Sequence, residues 1–501
     1  YLAVEPLREA AAVNWDGGTD GIWDLAETEN FLLADGTKDV FVTGDEVTFG
    51  DEASTTTVNI VGEVAPGRIT FDNTAKNYTI DGSGSMAGYA HLFKKGEGTL
   101  TINNVNKLRS GVYLQGGKVY AASLANNDGL EYGALGGLDA VIIFDNGILG
   151  INKSMACTQL INIDSHAVIE VNSGACLTHN ASIVGSGAWS SRTLTKTGAG
   201  TLILNGTARY GTLCIEQGTV QVGEDDISPL YPDTVVLKGG SVKDPDNIYS
   251  YSRNRVTYVV PEGAKASWTL DSRCDYYGKL FGSGDLTVNV TSVRCNMQGD
   301  WSQFAGTLNF QKKKTGSYEP ELQWNNGYGL PKATVGGIFH NSGKDVTMLT
   351  LADKASITGS GRTSVRHLNI TISKMKGTIT NTYFEVASTL LVSDSINITL
   401  KGTLKVGDEI TLWKVGSLQT GSNLAISLPE LPDGQYWDTS HLLAKEGRLK
   451  VTDTPTGIKV VDGGHSTKDN SVYDLSGRKV TNSLDDQIKP GIYIQNGKKI
   501  V

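Results

Sequence analysis

The sequence predicts an all-β protein, a parallel β-helix whose coils stack into a solenoid, followed by a small β-sandwich-like C-terminal module. A glycine-framed phrase recurs along the chain: GEGTLTIN at residues 96–103, GAGTLILN at residues 198–205 and a drifted copy, GSGDLTVN, at residues 282–289. Each copy is too short to bury its own apolar face, so each must stack on a neighbour. Such repetition indicates an architecture and says little about chemistry.

The spacing of the glycines gives the length of one coil. Gly98 and Gly117 are 19 residues apart, and Gly200 and Gly218 are 18 residues apart. About 20 residues suffice for three short strands and three turns, which is one coil of a parallel β-helix. Stacking in register places each residue on the equivalent residue of the next coil, so we expect ladders of Asn and Thr at the turns. The residues predicted to point inward are Leu100, Ile102, Leu202, Leu204, Leu286 and Val288.

The composition also favours strands joined by turns. Sixty of the 501 residues are glycine and only twelve are proline, whereas glycine usually makes up about 7%. The excess marks turns that need positive φ rather than proline-rich disorder. The net charge of −9 is mild and no basic stripe occurs, so no nucleic-acid partner is expected. Since no run of 18 apolar residues occurs, the chain is not expected to span a membrane by a helix.

The chain divides into three parts. We expect an N-terminal cap region at residues 1–39 and the solenoid at residues 40–452, with an irregular excursion near residues 223–270. Residues 453–457 are a linker by composition, and residues 458–501 form the separate C-terminal module. Four tryptophans lie near the solenoid ends, where plugging the exposed core is their favoured role: Trp15, Trp23, Trp413 and Trp437.

The cysteines do not form a disulfide framework, because five are too few and too scattered. Cys157 and Cys176 are 19 residues apart, and Cys274 and Cys295 are 21 apart, so each pair is close to one coil apart. A bridge and a stack of buried thiols both fit this spacing, and buried thiols are favoured. No Cys-x-x-Cys or Cys/His spacing suggests zinc.

No catalytic arrangement can be assigned from the sequence. The seven histidines are dispersed, and neither GxSxG nor HExxH occurs. No carboxylate pair, metal cluster or nucleophile–base pair stands at a recognisable spacing. We therefore predict no catalytic residue, no metal site and no cofactor.

An aromatic–basic patch is the candidate ligand site. Residues 249–255 read YSYSRNR, and in a strand their odd-numbered residues fall on one face. Two further tyrosines follow about one coil later. The six candidate residues are Tyr249, Tyr251, Arg253, Arg255, Tyr276 and Tyr277. Aromatic faces with flanking charge suit sugars, and the arginine pair suits uronates; a stacked tyrosine ladder without a ligand is the alternative.

The repeat resembles a known family. KTGAGTLIL at residues 196–204 and GTVQV at residues 218–222 resemble the passenger-associated repeats of bacterial autotransporter-type surface proteins. NWDGG at residues 14–18 and WDTS at residues 437–440 are also similar to that family. The resemblance implies a right-handed parallel β-helix that is secreted or lies on the cell surface. It implies no single activity.

The tail resembles a second family. VYDLSGRKV at residues 472–480 and KPGIYI at residues 489–494 resemble the C-terminal sorting-type domain of secreted and surface proteins of Bacteroidetes. That resemblance implies a small β-sandwich in the tail.

These observations predict a secreted or surface-exposed bacterial β-solenoid that acts as an adhesin, stalk or glycan-binding unit without catalysis. The expected partner is a polysaccharide or a cell-surface glycan. The alternative is a polysaccharide-active β-helix enzyme, either a lyase or a glycoside hydrolase, or the non-catalytic C-terminal part of one. A third possibility is a pure spacer that displays a partner. The enzyme requires a groove lined by several carboxylates or Arg/Lys on one sheet, binding requires aromatic residues without such a groove, and a spacer requires neither.

Overall fold

The protein is built almost wholly of β-strands. A computed structural model describes residues 8–126, 129–222, 232–244, 256–271, 274–291, 294–297, 299, 301, 303–312, 321–324, 329–335, 338–341, 349–359, 363–455, 472–474, 479–481, 493–495 and 498–500. Within these residues the helical content is one 3-10 turn, Trp189–Ser191. In this part of the chain no helix has the length and apolar character needed to cross a membrane.

The strands of the first coils are β1 (Ala12–Trp15), β2 (Ile22–Trp23), β3 (Phe31–Leu32), β4 (Lys38–Asp39), β5 (Glu46–Gly50), β6 (Thr57–Ile60), β7 (Glu63–Val64), β8 (Arg68–Asp72), β9 (Tyr78–Asp81), β10 (Ser85–Gly88), β11 (His91–Lys95), β12 (Thr99–Ile102), β13 (Lys107–Leu108), β14 (Val112–Leu114), β15 (Lys118–Ala121), β16 (Tyr132–Gly133), β17 (Gly136–Gly137), β18 (Ile142–Phe144) and β19 (Ile148–Ile151). The middle strands are β20 (Met155–Cys157), β21 (Ile161–Ile163), β22 (His166–Val171), β23 (Cys176–His179), β24 (Ile183–Gly185), β25 (Thr193–Thr197), β26 (Thr201–Leu204), β27 (Ala208–Arg209), β28 (Thr212–Ile215), β29 (Thr219–Val222), β30 (Thr234–Leu237), β31 (Ser241–Asp244), β32 (Thr257–Val260), β33 (Lys265–Leu270), β34 (Cys274–Tyr276), β35 (Leu280–Gly282) and β36 (Asp285–Val290). The last strands are β37 (Arg294–Met297), β38 (Thr307–Lys312), β39 (Glu321–Trp324), β40 (Gly329–Val335), β41 (Ile338–Asn341), β42 (Leu349–Gly359), β43 (Thr363–Met375), β44 (Thr378–Asn381), β45 (Tyr383–Lys401), β46 (Glu409–Thr420), β47 (Ala425–Ser427), β48 (Tyr436–Asp438), β49 (Glu446–Thr452), β50 (Val472–Asp474), β51 (Lys479–Thr481), β52 (Tyr493–Gln495) and β53 (Lys498–Ile500).

These strands form the faces of a parallel β-solenoid. Among the described residues, one face is an 11-stranded sheet that includes β5, β8, β11 and β14, and a second is a 12-stranded sheet that includes β6, β9, β12 and β15. The third face begins as β7–β10–β13 and continues from β20 to β33 within a 21-stranded sheet that runs to β49. Beyond β33 this sheet contains two side-by-side ladders, β33–β36–β38 and β34–β37–β39. Each early coil therefore gives one strand to each face, as β5, β6 and β7 do. The predicted fold class is confirmed.

The strand register confirms the coil length inferred from the glycines. On the first face Val47 pairs with Ile69, Ile69 with Leu92, and Leu92 with Val112, so successive coils take 22, 23 and 20 residues. Between β43 and β45 the coil lengthens, and Leu368 pairs with Ile396. In that region long strands carry register shifts, which bend a strand around a corner without ending its ladder.

Ladders of like residues run along the solenoid. At the turns, the Asn205 amide donates to Asn180 Oδ1 over 2.7 Å, as the spacing predicts. The longest described threonine ladder, however, lies on strands of the second face: Thr193, Thr212, Thr234 and Thr257. Threonine lies on strands rather than at turns because its β-branched side chain packs well on a pleated surface.

The core lies inside the coils, as the alternation predicts. All six residues predicted to point inward are 0–3% exposed: Leu100, Ile102, Leu202, Leu204, Leu286 and Val288. At the N-terminal end the rings of Trp15 and Trp23 pack against Phe31 and Phe49, and both indoles are at most 2% exposed. The predicted aromatic plug is therefore present at this end.

The C-terminal end leaves the parallel pattern. Strand β49 pairs antiparallel with both β46 and β48, and these three strands are called the cap sheet below. Trp413 on β46 is fully buried, while Trp437 on β48 is partly buried against the same core. Farther along, β51, β50, β52 and β53 form a separate four-stranded antiparallel sheet.

The two cysteine pairs are arranged differently in the structure. Cys157 is buried, Cys176 is half-buried, and both are free thiols. In the ladder Cys157 pairs with His179, so these two cysteines form neither a bridge nor the expected stack of buried thiols. Burial raises the pKa of the Cys157 thiol to about 12, which keeps it protonated and unreactive. Cys274 pairs directly with Cys295 in the ladder between β34 and β37, one coil apart as the spacing predicts.

Replacing Leu202 by Asp tests this core. We expect a loss of several kcal/mol, about 3 or more, because the substitution removes a buried apolar side chain and introduces an unpaired charge. Ile203→Asp is the matched control, since Ile203 is half-buried on the outer side of the same strand. Thermal unfolding followed by circular dichroism measures both. Equal melting temperatures for the two variants would contradict the inward position of Leu202.

Candidate functional site

The predicted aromatic–basic patch lies largely outside the described residues. This applies to Tyr249, Tyr251, Arg253 and Arg255. Tyr276 is placed in the core instead of on the surface: it is 2% exposed, its ring contacts Trp268 and Trp301, and its hydroxyl donates to the Val256 carbonyl. Tyr277 is 38% exposed. Neighbouring residues face opposite sides of a coil, and a backbone acceptor satisfies the buried hydroxyl, so Tyr276 contacts no surface ligand here.

A different aromatic stack occupies the outer side of the first face. The rings of Phe93 and Tyr113 stack with centroids 4.7 Å apart, and the guanidinium of Arg68 lies 4.4 Å from the Phe93 centroid. Ile143 follows Tyr113 in the ladder. Both faces of the Phe93 ring are therefore covered, and stacking on a sugar needs an open ring face. This stack stabilises the sheet exterior.

The polar groups of a charged cluster on the second face are likewise engaged with one another. Lys118 Nζ donates to both carboxylate oxygens of Glu170 at 2.9 and 2.8 Å, and the Tyr120 hydroxyl donates to the same carboxylate over 2.9 Å. Gly150 lies between Tyr120 and Glu170 in the ladder, and a Cβ there would come within 2.3 Å of the Tyr120 ring. Each polar group satisfies another, so the cluster bridges coils.

The glycine-framed phrase encloses a buried lysine in its first two copies. Lys196 is fully buried, and its Nζ donates to the carbonyls of Thr197 and Gly198, both at 2.6 Å, and of Gln217 at 3.3 Å. Lys94 is equivalent: its Nζ donates to the carbonyls of Lys95, Gly96 and Gly116. An ammonium group thus satisfies turn carbonyls that would otherwise be buried without a donor.

The glycines of the phrase have distinct roles. Gly198 has φ of +71°, a conformation that disfavours any side chain. Gly200 lies against the coil below, and a Cβ there would meet the Asn172 carbonyl at 2.3 Å. In the drifted third copy Leu280 stands where the other copies have lysine, and it is 1% exposed. The phrase therefore tolerates an apolar residue at this position.

A polar cleft opens on the cap sheet. Its lining residues, called the cap cleft below, are Glu409, Asp438, Ser440, His441, Arg448 and Lys450, and its volume is about 250 Å³. They come from β46, β48, β49 and the connection between β48 and β49. Lys450 is the central residue, because it pairs with Glu409 on one side and with Asp438 on the other.

The cleft combines acidic and basic groups. Arg448 donates to Glu409 Oε1 over 3.2 Å and pairs with Glu446 Oε2 at 2.7 Å. The Ser440 N–H donates to Asp438 Oδ1 over 3.0 Å, and hydrogen bonds from Ser440 lower the pKa of Asp438. Asp438 therefore carries charge at neutral pH, close to the Arg448 and Lys450 side chains. Among the described residues, no three His, Cys, Asp or Glu side chains are grouped to hold a metal ion.

Sequence reasoning did not find this cleft. The alternation of Glu446, Arg448 and Lys450 along one strand was a usable signal, since residues two apart share a face. Pairing with Glu409 and Asp438 could not be inferred, because the repeated phrase stacks in parallel register and predicts no register for antiparallel strands.

Comparison with known proteins gives one match. The family model described as passenger-associated-transport-repeat matches residues 194–222, which cover β26, β27, β28, β29 and most of β25. No curated protein and no solved structure matches the chain. A passenger-associated transport repeat thus lies within a parallel β-solenoid, which indicates an autotransporter passenger-type β-helix. Such passengers are typically secreted or exposed at the cell surface.

Replacing both buried lysines tests their place among the enclosed turn carbonyls, through the pH dependence of the stability of the fold. Burial lowers the pKa of Lys94 and of Lys196 from 10.5 to about 8. Between these values the unfolded chain binds more protons than the folded protein, so raising the pH from 8 to 10 stabilises the fold, by up to about 3 kcal/mol per lysine. The variant Lys94→Leu/Lys196→Leu lacks this gain.

The measurement is the melting temperature of wild type minus that of the variant, from pH 7.5 to 10. We expect the difference to move in favour of the wild type as the pH rises. Lys95→Leu is the control, because Lys95 is only half-buried and on the outer side of the strand. A difference that stays flat over this range would show that the two lysines keep an ordinary pKa.

Proposed function

We propose that this protein is a secreted or surface-exposed, non-catalytic β-solenoid that acts as a stalk, adhesin or glycan-binding unit. The observation that carries the proposal is the repeat itself: residues 194–222, which match the passenger-associated repeat, form successive coils of a parallel ladder. Such a solenoid lengthens by adding coils, and each coil contacts only its neighbours. Outward side chains do not contribute to the core, so those not engaged with a neighbouring coil can serve recognition.

The proposed partner is a polysaccharide or a cell-surface glycan. Sugar binding uses exposed aromatic rings beside hydrogen-bonding groups. Exposed tyrosines of the described residues include Tyr89, at 77%, Tyr436, at 42%, and Tyr277, at 38%. The residues Tyr249, Tyr251, Arg253 and Arg255 remain the patch predicted from the sequence.

The cap cleft carries two carboxylates and two basic side chains on one sheet, which is the kind of groove that the lyase or hydrolase alternative requires. Binding is nevertheless favoured over catalysis, because three groups with large pKa shifts are enclosed. Lys94, Lys196 and Cys157 have large pKa shifts, but each is at most 1% exposed. A general acid or base must come within hydrogen-bond reach of its substrate, which these positions do not allow.

Incubation with a panel of neutral and acidic polysaccharides tests the proposal. We expect modest binding without turnover, since each stacked ring or exposed ion pair contributes only about 1 kcal/mol. Release of reducing ends or unsaturated uronates well above the buffer rate would instead support the lyase or hydrolase alternative. The variants Tyr251→Ala and Arg253→Ala determine whether the sequence-predicted patch takes part.

We also propose that residues 458–501 are the sorting-type module that delivers the solenoid to the cell surface. The support is the resemblance of VYDLSGRKV and KPGIYI to the Bacteroidetes sorting-type domain, together with the four-stranded antiparallel sheet of β50 to β53. This sheet has no strand pairing with the solenoid among the described residues, which fits a separable unit.

Deletion of residues 458–501 tests the sorting role. We expect the shortened chain to keep the circular dichroism spectrum and melting temperature of the solenoid and to be lost from the surface fraction of the cells. A reporter protein fused to residues 458–501 is the converse control and should reach the surface. Unchanged surface delivery of the shortened chain would rule out the role.

A further inference from the structure

We propose that the cap cleft binds one neutral monosaccharide unit of a glycan. This inference rests on the proposed glycan-binding role and assigns that role to a defined place at the C-terminal end of the solenoid. The cleft volume, about 250 Å³, is below the about 300 Å³ at which pockets for drug-sized ligands begin. It therefore admits a single sugar ring, with the rest of the glycan in solvent.

The charges of the cleft select a neutral, hydroxyl-rich ligand. Glu409 and Asp438 are acceptors, Arg448 and Lys450 are donors, and the formal charges of these four side chains cancel. A sugar hydroxyl both donates and accepts, so neighbouring hydroxyls can bridge a carboxylate and a cation. Because the two carboxylates and the two basic groups offset each other, the cleft offers neither an anionic sugar nor a cation a net electrostatic attraction.

Lys450 is available to a ligand. It is exposed, and in the described part of the chain no carboxylate lies within 4.0 Å of its Nζ, although Glu409 and Asp438 flank it in the ladder. Arg448, by contrast, already holds Glu409 and Glu446. A ligand hydroxyl bound over the cap sheet, near Glu409 and Asp438, would give the Lys450 ammonium an acceptor.

An aromatic ring stands beside the cleft. Tyr436 lies two residues before Asp438 on β48 and is 42% exposed, while the intervening Trp437 packs toward the core. Residues two apart on a strand lie on one face at about 7 Å, so the Tyr436 ring is within reach of a sugar held by Asp438. Apolar contact with a ring beside hydrogen-bonding groups is the usual pattern of sugar recognition.

Hydrogen bonds hold the chain segment that carries Ser440 and His441. The buried Trp413 indole donates to the Ala444 carbonyl over 2.9 Å, and the Arg448 N–H donates to the His441 carbonyl over 3.2 Å. Both bonds tie the connection between β48 and β49 to the sheet beneath it. The polar groups are thus held in place before a ligand arrives, which lowers the entropic cost of binding.

The experiment uses the full chain and an array of neutral hexose and N-acetylhexosamine oligosaccharides, with uronate-containing oligosaccharides as comparison. We expect neutral sugars to bind better than uronates. The variant Glu409→Gln/Lys450→Gln, which keeps the net charge, should weaken binding by about tenfold or more, and Tyr436→Ala by about two- to tenfold. Glu446→Gln is the matched control: it removes the other Arg448 partner from outside the cleft and should bind as wild type.

The outcomes separate this inference from the proposed function. Binding that survives Glu409→Gln/Lys450→Gln but is lost with Tyr251→Ala or Arg253→Ala would keep the glycan-binding role and overturn the cleft as its site. Preference for uronates would overturn the neutral ligand. Failure of the whole array to bind would overturn the cleft site and the glycan-binding role together, and would leave the stalk or adhesin role with the cleft as an ion-pair network on the cap. Melting temperatures of all variants establish that each is folded.

Discussion

Coil-on-coil stacking is the constraint on which the rest of this structure depends. A single coil of about 20 residues cannot bury its apolar face, so each coil must present the same inward positions as its neighbours. The ladder that joins Val47, Ile69, Leu92 and Val112 is the direct result. The same requirement explains the aromatic cluster at the N-terminal end, where Trp15 and Trp23 pack on Phe31 and Phe49.

The turns carry the cost of this stacking. Each coil must change direction three times beside a neighbour, which leaves backbone carbonyls inside the molecule and little room for side chains. Gly198 and Gly200 provide the positive φ and the close approach, and Lys196 provides donors for the enclosed carbonyls. In the third copy Leu280 fills the same position, so a buried lysine is one way to complete the turn and is not required in every coil.

The proposed recognition site lies at the C-terminal end of the described solenoid. On the parallel faces, outward groups such as Phe93 with Arg68, and Tyr120 with Glu170, are already engaged with one another across coils. The cap sheet instead pairs strands antiparallel, which brings together side chains that are distant in sequence and leaves Lys450 between two carboxylates. A glycan-binding role at this end would leave the repeated coils free to act as a stalk.

The sequence by itself determined the fold class, the coil length and the inward positions, because these follow from local periodicity: two residues for the strand and about twenty for the coil. It also indicated the passenger-associated repeat, whose glycines and lysine serve the turn in which they occur. Only the tertiary structure decided which polar and aromatic side chains meet. Tyr276 and Tyr277 are adjacent in sequence yet face the core and the solvent, and Glu409, Asp438 and Lys450 meet through a register that no repeat encodes. Contacts between distant segments depend on pairing across strands, and pairing is set by the packing of the whole end of the solenoid rather than by any local pattern.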